Sequence, residues 1–438
     1  MTHFTLKILQ IKDQNILIDE MDCQEKQYKG QTALFFKGKL DARPKACPHC
    51  GQVDDPTIIV KNGTRSSGIT LAPVSGLPAY LHLVKQRYLC RSCCKSCTAK
   101  TSIVQSHCFI SQRVKQMVAA QATQTVSEAH IAKELNVSTT TVRRTISEFA
   151  SEIRIRPTHA LPNHLSFDEF KSVKSVDAAM SFIMIDAETH QLIDVLPDRK
   201  KGALIQYFRR YSRAVRRQVE TVTIDMYSPY MDVIKQCFPN AKIIIDPFHL
   251  LQAVYRALNQ CRVQCMNQHR SKNKPLYNKF KRYWKLLLTP NETLNSFNYQ
   301  KHRLFPSLMT TQGIVDYLLS QDDVLSETYT YAHGLRFAYR LRHWELFLEY
   351  MDRAQTAQIS PQLKKTLRSF RKYLPYIKNA FTYSQFTNGP IEGLNNKIKV
   401  LKRTGYGYRN FSHFRDRILL MTRLYVPPSK HIEKDQVA

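Results

Sequence analysis

The chain has 438 residues, 43% hydrophobic and 23% charged, which leaves room for several domains of about 150 residues with buried cores and excludes global disorder. It holds no apolar run of about 18 residues, and MTHFTLKILQIKDQN lacks a basic-then-apolar secretion pattern; a membrane span is therefore excluded and a reducing cytoplasm expected. Lys plus Arg number 65 against 35 Asp plus Glu, and a net charge of +30 points to a polyanion, since each neutralised phosphate releases a counterion.

Residues 1–45 alternate apolar and polar positions in short pieces (FTLKILQI, NILIDE, TALFFKGKL), the pattern of strands. Six of the eleven cysteines then fall in two runs, Cys47-Pro-His-Cys50-Gly and Cys90-Arg-Ser-Cys93-Cys94-Lys-Ser-Cys97. Two C-x-x-C knuckles bring four thiolates around one structural Zn²⁺. The second run holds two such pairs. Cys90 and Cys93 are preferred over Cys94 and Cys97, because HLVKQRYLC reads as a strand delivering the first ligand, and His49 and His82 stand as substitute ligands. Between the knuckles, Gly63, Gly68, Pro73, Gly76 and Pro78 predict a loop-rich stretch. Cys23, Cys108, Cys237, Cys261 and Cys265 are scattered and read as reduced thiols.

From Ser111 the periodicity becomes helical, with Val114, Met117, Val118 and Gln121 three or four apart. SEAHIAKELNVSTTTVRRTISEF has helix-turn-helix spacing. Ser127 caps a first helix with Ile131, Ala132 and Leu135 inward, Asn136 suits a left-handed turn, and Ser138 caps a second helix that buries Val142 and Ile146. Thr139, Thr140, Thr141, Arg143 and Arg144 remain outward at its N-terminal end, where a recognition helix meets DNA. A helical hairpin without DNA contact is the bland alternative. RIRPTHALPNH reads as a linker.

Next come LSFDEF, AMSFIMIDAE and QLIDVLPD, a helix (KGALIQYFRRYSRAVR), ETVTIDMYS, a helix (PYMDVIKQCF), AKIIIDPF and a further helix. Three strands, then helix, strand, helix, strand, helix, is the order of an RNase H-like α/β domain. Asp168 lies in the first strand and Asp225 closes the fourth, so their carboxylates can converge. A third acid comes from FTNGPIEGLNNKIKVLKRTGYG: Asn388 as N-cap, Pro390 in the first turn and Glu392 one turn in, with Asn395, Asn396, Lys399 and Arg403 on the face of Glu392 and Gly405 ending the helix. Three acids suit two hard cations, Mg²⁺ or Mn²⁺, about 3.5–4 Å apart, on which phosphodiester cleavage depends. Asp246 also ends a strand, with His249 three residues on. The strand order prefers Asp225 as the ligand and leaves Asp246 and His249 behind it or against DNA. Residues 261–438 carry 30 basic and 12 acidic residues interleaved with Tyr and Phe, a nucleic-acid-facing composition that a solvated helix face would also show.

These motifs resemble the ISL-three family of bacterial insertion-sequence transposases. The similarity runs through CPHCG, RYLCRSC, FDEF, TIDMYSPY, FPNAKIIIDPFHLLQ and TNGPIEGLNNKIKVLKRTGYGYRNFSHFRDRIL. Thr387, Tyr227, Cys94 and Cys97 stand where that family often has Ser, Trp, Gly and Phe. The resemblance implies a DDE transposase with Asp168, Asp225 and Glu392 as catalytic acids, and a helical insertion at about 262–380 within the RNase H-like domain. The expected organisation is multidomain α+β: a β-rich region with a zinc-ribbon-like module (1–110), a helix-turn-helix (111–153), a linker (154–163), the catalytic domain (164–425) and a tail (426–438). The expected function is binding of terminal inverted repeats, end cleavage and joining of the 3′-hydroxyl to target DNA, with Lys399 and Arg403 on phosphates and at least a dimer at the ends. A catalytically silent DNA-binding regulator and a structure-selective nuclease are the competing readings.

Overall fold

Strand-like alternation fails at once in FTLKILQI, which forms helix α1 (Thr2–Ile8) in the computed structural model, where residues 2–427 are described. Leu6 and Leu9, three apart, are buried while Phe4 and Ile8 are exposed; a strand would have put Phe4, Leu6 and Ile8 on one face. The chain divides into two units. One comprises the residues up to Arg156 with Val173–Asp177 and Asn396–Arg423; the other comprises Pro157–Ser172, Ala178–Asn395 and the chain from Leu424.

In the first unit, β1 (Ile16–Tyr28), β2 (Gln31–Leu40), β3 (Ile59–Val74), β4 (Leu77–Cys90) and β5 (Ser96–Thr98) form a sheet of order β1-β2-β4-β3, with β5 on β4. The stretch expected as loop is thus a long hairpin. Gly63 and Pro73 mark irregularities within β3, whereas Gly68 sits in regular pairing with His82. Ser75 (φ 49°) and Gly76 (φ 81°) make a two-residue turn between paired Val74 and Leu77, the left-handed pair that a tight hairpin requires. Gly63 (φ 69°) sits at the register shift between Lys61 and Thr64, and Pro73 in the second shift.

Helices α2 (Gln112–Ala122), α3 (Glu128–Glu134) and α4 (Thr139–Arg154) follow. The Ser111, Ser127 and Ser138 hydroxyls accept from the N–H groups of Val114, His130 and Thr141, and Asn136 sits at φ 54° between α3 and α4. Val114, Val118, Ile131, Leu135, Val142 and Ile146 form their core. The helix Phe411–Met421 belongs to this unit as well. Its Arg417 is fully buried and donates to the Gln124 and Val126 carbonyls, both at 2.9 Å, while buried Asp416 receives Arg154 at 2.6 and 3.0 Å. The stretch 164–425, expected as one catalytic domain, therefore gives 173–177 and 396–423 to the first unit.

The second unit is built on β6 (His164–Lys171), β7 (Met180–Asp186), β8 (Leu192–Leu196), β9 (Thr221–Ile224) and β10 (Lys242–Ile245), in the order β10-β9-β6-β7-β8. β6 pairs antiparallel with β7 and parallel with β9, which pairs parallel with β10. Phe167, Phe182, Phe208, Tyr230 and Phe238 cluster in its core. The helix expected over KGALIQYFRRYSRAVR is two, α5 (Lys201–Phe208) and α6 (Arg213–Arg217), because the Ser212 hydroxyl caps a new start. Next come α7 (Ser228–Cys237) and α8 (Pro247–Gln268), so the expected insertion boundary at 262 falls inside a continuous helix. Helices α9 (Lys274–Arg282), α10 (Thr311–Leu319), α11 (Asp323–Arg340), α12 (Trp344–Arg353), α13 (Pro361–Lys372) and α14 (Leu374–Thr382) lead to α15 (Gly389–Thr404) and α16 (Phe411–Met421). Among the described residues no helix is long and apolar enough to cross a membrane. The expected tail lies, from 428 onward, outside the described residues.

Gly334 in α11 is where a Cβ would run into the Tyr350 ring of α12. Gly334→Ala is expected to lower stability by about 1–2 kcal/mol, overpacking outweighing the helix-propensity gain. Thermal melts of Gly334→Ala, and of Gly334→Ala with Tyr350→Leu, check this: the second change should restore what the first removes.

Candidate active site

Strand register explains why three aspartates meet. Ser166 of β6 pairs with Thr223 of β9, which pairs with Ile244 of β10, and all three strands run parallel. Two residues further along each strand stand Asp168, Asp225 and Asp246, at one level and on one face, in neighbouring strands about 4.8 Å apart. Ligand atoms of Asp225, Asp246 and His249 lie within 4.8 Å of one another. His249 Nε2 is 3.0 Å from Asp225 Oδ1.

The start of α15 ties these strand ends together. The Asn388 backbone N–H donates to Asp246 Oδ1 at 2.9 Å, and its Nδ2 donates to Asp225 Oδ1 at 3.2 Å and the Phe167 carbonyl at 3.3 Å. The expected side-chain cap is therefore not made. The Asn388 carbonyl still accepts the Glu392 N–H, but its amide is committed to the aspartates. Two turns on, Asn395 Nδ2 donates to Asp168 Oδ2 at 2.6 Å. Glu392 is exposed, outside the tight group, yet close enough for its charge to raise the Asp246 carboxyl. Asp246, expected behind the ligand or against DNA, is a buried N-cap of α8: Oδ2 accepts the His249 N–H at 3.4 Å.

Sequence reasoning missed the support beneath Asp168. Glu169 takes Arg199 on one carboxylate oxygen and the Tyr230 hydroxyl, at 2.9 Å, on the other, while its N–H donates to Asp168 Oδ1 at 2.8 Å. FDEF held Glu169 in view, but nothing local marks Arg199 or Tyr230 as its partners.

Burial pushes the Asp168 carboxyl up to about 6 and Asp225 up to about 7, with the neighbouring acids adding to the effect of burial at Asp225. Burial also raises Asp246. The site thus holds more negative charge than its own donors compensate. Asn388 and Asn395 are each 97% buried, and their Oδ1 atoms have no hydrogen-bond partner. Oxygen donors around uncompensated charge fit a hard divalent cation, and the side chains gathered closely enough to hold one are Asp225, Asp246 and His249, with Asp168 on the neighbouring strand.

A second cluster lies in the first unit. The thiols of Cys47, Cys50, Cys90 and Cys93 lie within 4.8 Å of one another, with Cys47–Cys93 at 3.6 Å and Cys50–Cys90 at 3.8 Å. A tetrahedron with Zn–S of about 2.3 Å has sulfur–sulfur edges of about 3.8 Å. The His49 backbone N–H is the main cause that draws the Cys47 thiol down to about 6. Cys94, Cys97, His49 and His82 stand outside this group.

Of the residues expected at DNA, Thr139, Thr140, Arg143 and Arg144 are exposed on the first turns of α4, and Thr141 is half-buried with its hydroxyl 3.0 Å from that of Ser138. Arg143 is paired with Glu128 at 2.6 Å. Lys399 and Arg403 are exposed on α15.

Residues 165–418 match a family model described as transposase, of the ISL-three (ISL3) group, and residues 43–93 match the zinc-finger of transposases IS204, IS1001, IS1096 and IS1165. The second match ends at Cys93 and so contains the four clustered cysteines and neither Cys94 nor Cys97. The transposase for insertion sequence element IS1001 of Bordetella parapertussis is 23% identical over 391 residues, 88% of this chain and 90% of that protein. A Lactococcus lactis subsp. lactis protein named ATP-dependent protease is 38% identical over 133 residues, 30% of this chain. The chain spans 41% of the Lactococcus protein's length. Matched by the transposase model over more than half its length, and carrying a zinc ribbon with a four-cysteine zinc site, the chain belongs to the ISL-three family of transposases.

Proposed function

We propose that this protein binds the terminal inverted repeats of an insertion sequence, hydrolyses the phosphodiester at each end and joins the freed 3′-hydroxyl to target DNA. The observation that carries this reading is the row of aspartates at one level of three parallel strands, on which Asn388 and Asn395 close with their side-chain amides. Asp168, Asp225 and Glu392 would hold two Mg²⁺ or Mn²⁺ ions, which supply charge neutralisation and water activation when bound. The chain itself does the positioning: Asn388 and Asn395 fix the two carboxylates, His249 orients Asp225, and Asp246 pins the start of α15. Thr139, Thr140, Thr141, Arg143 and Arg144 read the repeat, with Lys399 and Arg403 on phosphates. Synapsis of two ends calls for at least a dimer, acting on chromosomal DNA in the bacterial cytoplasm.

The test is incubation with duplexes carrying the flanks of the gene's own locus and Mg²⁺ or Mn²⁺. Nicks at the element boundary followed by joined products are expected. Tight binding without nicks would favour the silent regulator, and nicks without joining or end preference the nuclease.

Protons compete with the cations for Asp225, whose carboxyl stands at about 7. Mn²⁺ affinity is therefore expected to weaken about tenfold per pH unit as pH falls below that value. Titrations of Mn²⁺ at several pH values check the slope, and a flat profile would contradict it.

A further inference from the structure

The end of α15 has an unusual residue in a demanding place. The Gly407 N–H bonds the Lys402 carbonyl at 2.8 Å and the Tyr406 N–H bonds that of Arg403 at 3.0 Å, the paired bonds of a Schellman helix end. Such an end needs a left-handed residue, commonly glycine, and here Tyr406 takes it at φ 53°. Gly405, expected to stop the helix, is glycine for another reason. A Cβ there would lie 3.0 Å from the Tyr408 ring and 3.2 Å from the Leu401 carbonyl. Tyr408 in turn stacks on Phe414 at 4.8 Å, which anchors the turn on α16.

Tyr406 is therefore strained in its backbone and, at 96% exposure, gains nothing from packing. It stands at the rim of a cavity of about 530 Å³ that Ser127, Thr139, Arg143, Arg409 and His413 also line. Thr139 and Arg143 lie on the first turns of α4. Among the described residues, the one acid lining this cavity, Glu128, is paired with Arg143, which leaves the rim basic. A basic cavity beside the outward end of α4, edged by an exposed ring, is complementary to a sugar–phosphate backbone.

We propose that the 405–410 turn is a second DNA-contact element flanking α4. The Tyr406 ring packs against deoxyribose and base edges in the minor groove next to the stretch that α4 reads, and Arg409 pairs with a phosphate. This rests on the reading of α4 as a DNA-binding helix. It makes the DNA surface composite, built from residues more than 260 positions apart in the chain.

Tyr406→Gly separates contact from fold, because it relieves the backbone strain while removing the ring. The full-length variant is expected to melt no lower than wild type, yet to bind duplexes from the locus flanks about tenfold more weakly. Tyr406→Phe should bind within about twofold of wild type, and Arg409→Gln should reduce the salt dependence of log affinity by about one unit. Equal binding by wild type and Tyr406→Gly would overturn the proposal. Arg144→Ala distinguishes the two levels: if it loses binding while Tyr406→Gly keeps it, the α4 reading stands and the second element falls. Absence of duplex binding by wild type overturns both.

Discussion

Asp225→Asn is expected to lower strand cleavage by about a thousandfold or more and, without divalent cation at about pH 8, to raise the melting temperature. The first effect follows from removing an anionic oxygen at the centre of the row. The second follows from the sign of the carboxyl's shift. Burial, reinforced by Asp168 and Asp246, lifts Asp225 from 3.8 to about 7. The folded state then retains a proton that the unfolded chain has released, so the cation-free fold loses stability as pH rises towards and through that value. An amide in place of the carboxylate removes this loss. The gain should be about 1–2 kcal/mol, below the full conversion of the shift because the half-buried side chain admits water. Asp246→Asn should behave differently. Its two oxygens accept the N–H groups of Asn388 and His249, and an amide keeps one acceptor while turning a donor against the other. It should melt lower than wild type and cut about 10–100-fold more slowly through the displaced α15. Melting curves and cleavage assays on both variants distinguish the two roles. A lower melting temperature for cation-free Asp225→Asn would refute the electrostatic account.

What the sequence made legible was local. Ser127 and Ser138 announced helix starts because a hydroxyl three residues ahead of an N–H is a complete capping unit, and Asn136 announced its turn because few residues accept φ 54°. The aspartates were visible for the same reason: TID and IID each close a short apolar run, and Asp168 interrupts the apolar strand LSFDEF. Their relative merit was not. The strand order preferred Asp225 over Asp246, whereas the parallel register sets both at one level, and the bond from Asp246 to Asn388 spans 142 residues. Asn395 and Asp168 are 227 residues apart, and no periodicity reports such a pair. Punctuating residues misled in one place: glycines and prolines between the knuckles signalled a loop, whereas paired strands absorbed them as two register shifts and a turn. The grouping of 396–423 with the helices α2–α4 rests on Arg417 and Asp416, charged residues that a pattern of apolar burial passes over.

Cys93→Ser is expected to release zinc and unfold the module around the knuckles, whereas Cys94→Ser should leave both unchanged. The two residues are adjacent and each completes a C-x-x-C pair, so composition cannot separate them. Geometry does. Cys93 Sγ is 3.6 Å from Cys47 Sγ across the cluster, while Cys94, at φ 55° on the turn, points its thiol to the Arg91 carbonyl at 3.7 Å. Four thiols gathered without a cation would repel once ionised, and a structural zinc ion contributes on the order of 10 kcal/mol to small folds of this kind. The sheet limits the damage. Cys90 ends β4, which pairs with β2 and β3 over most of its length and buries Leu81 and Leu83. Loss of zinc should therefore melt the knuckles and the β5 edge while β2, β3 and β4 persist. Metal content and near-ultraviolet dichroism of the two variants test the ligand choice. Hydrogen exchange tests the boundary: amides of Ser96–Thr98 should lose protection in Cys93→Ser while those near Leu81 retain it. Zinc retained by Cys93→Ser and lost by Cys94→Ser would transfer the site to the second pair.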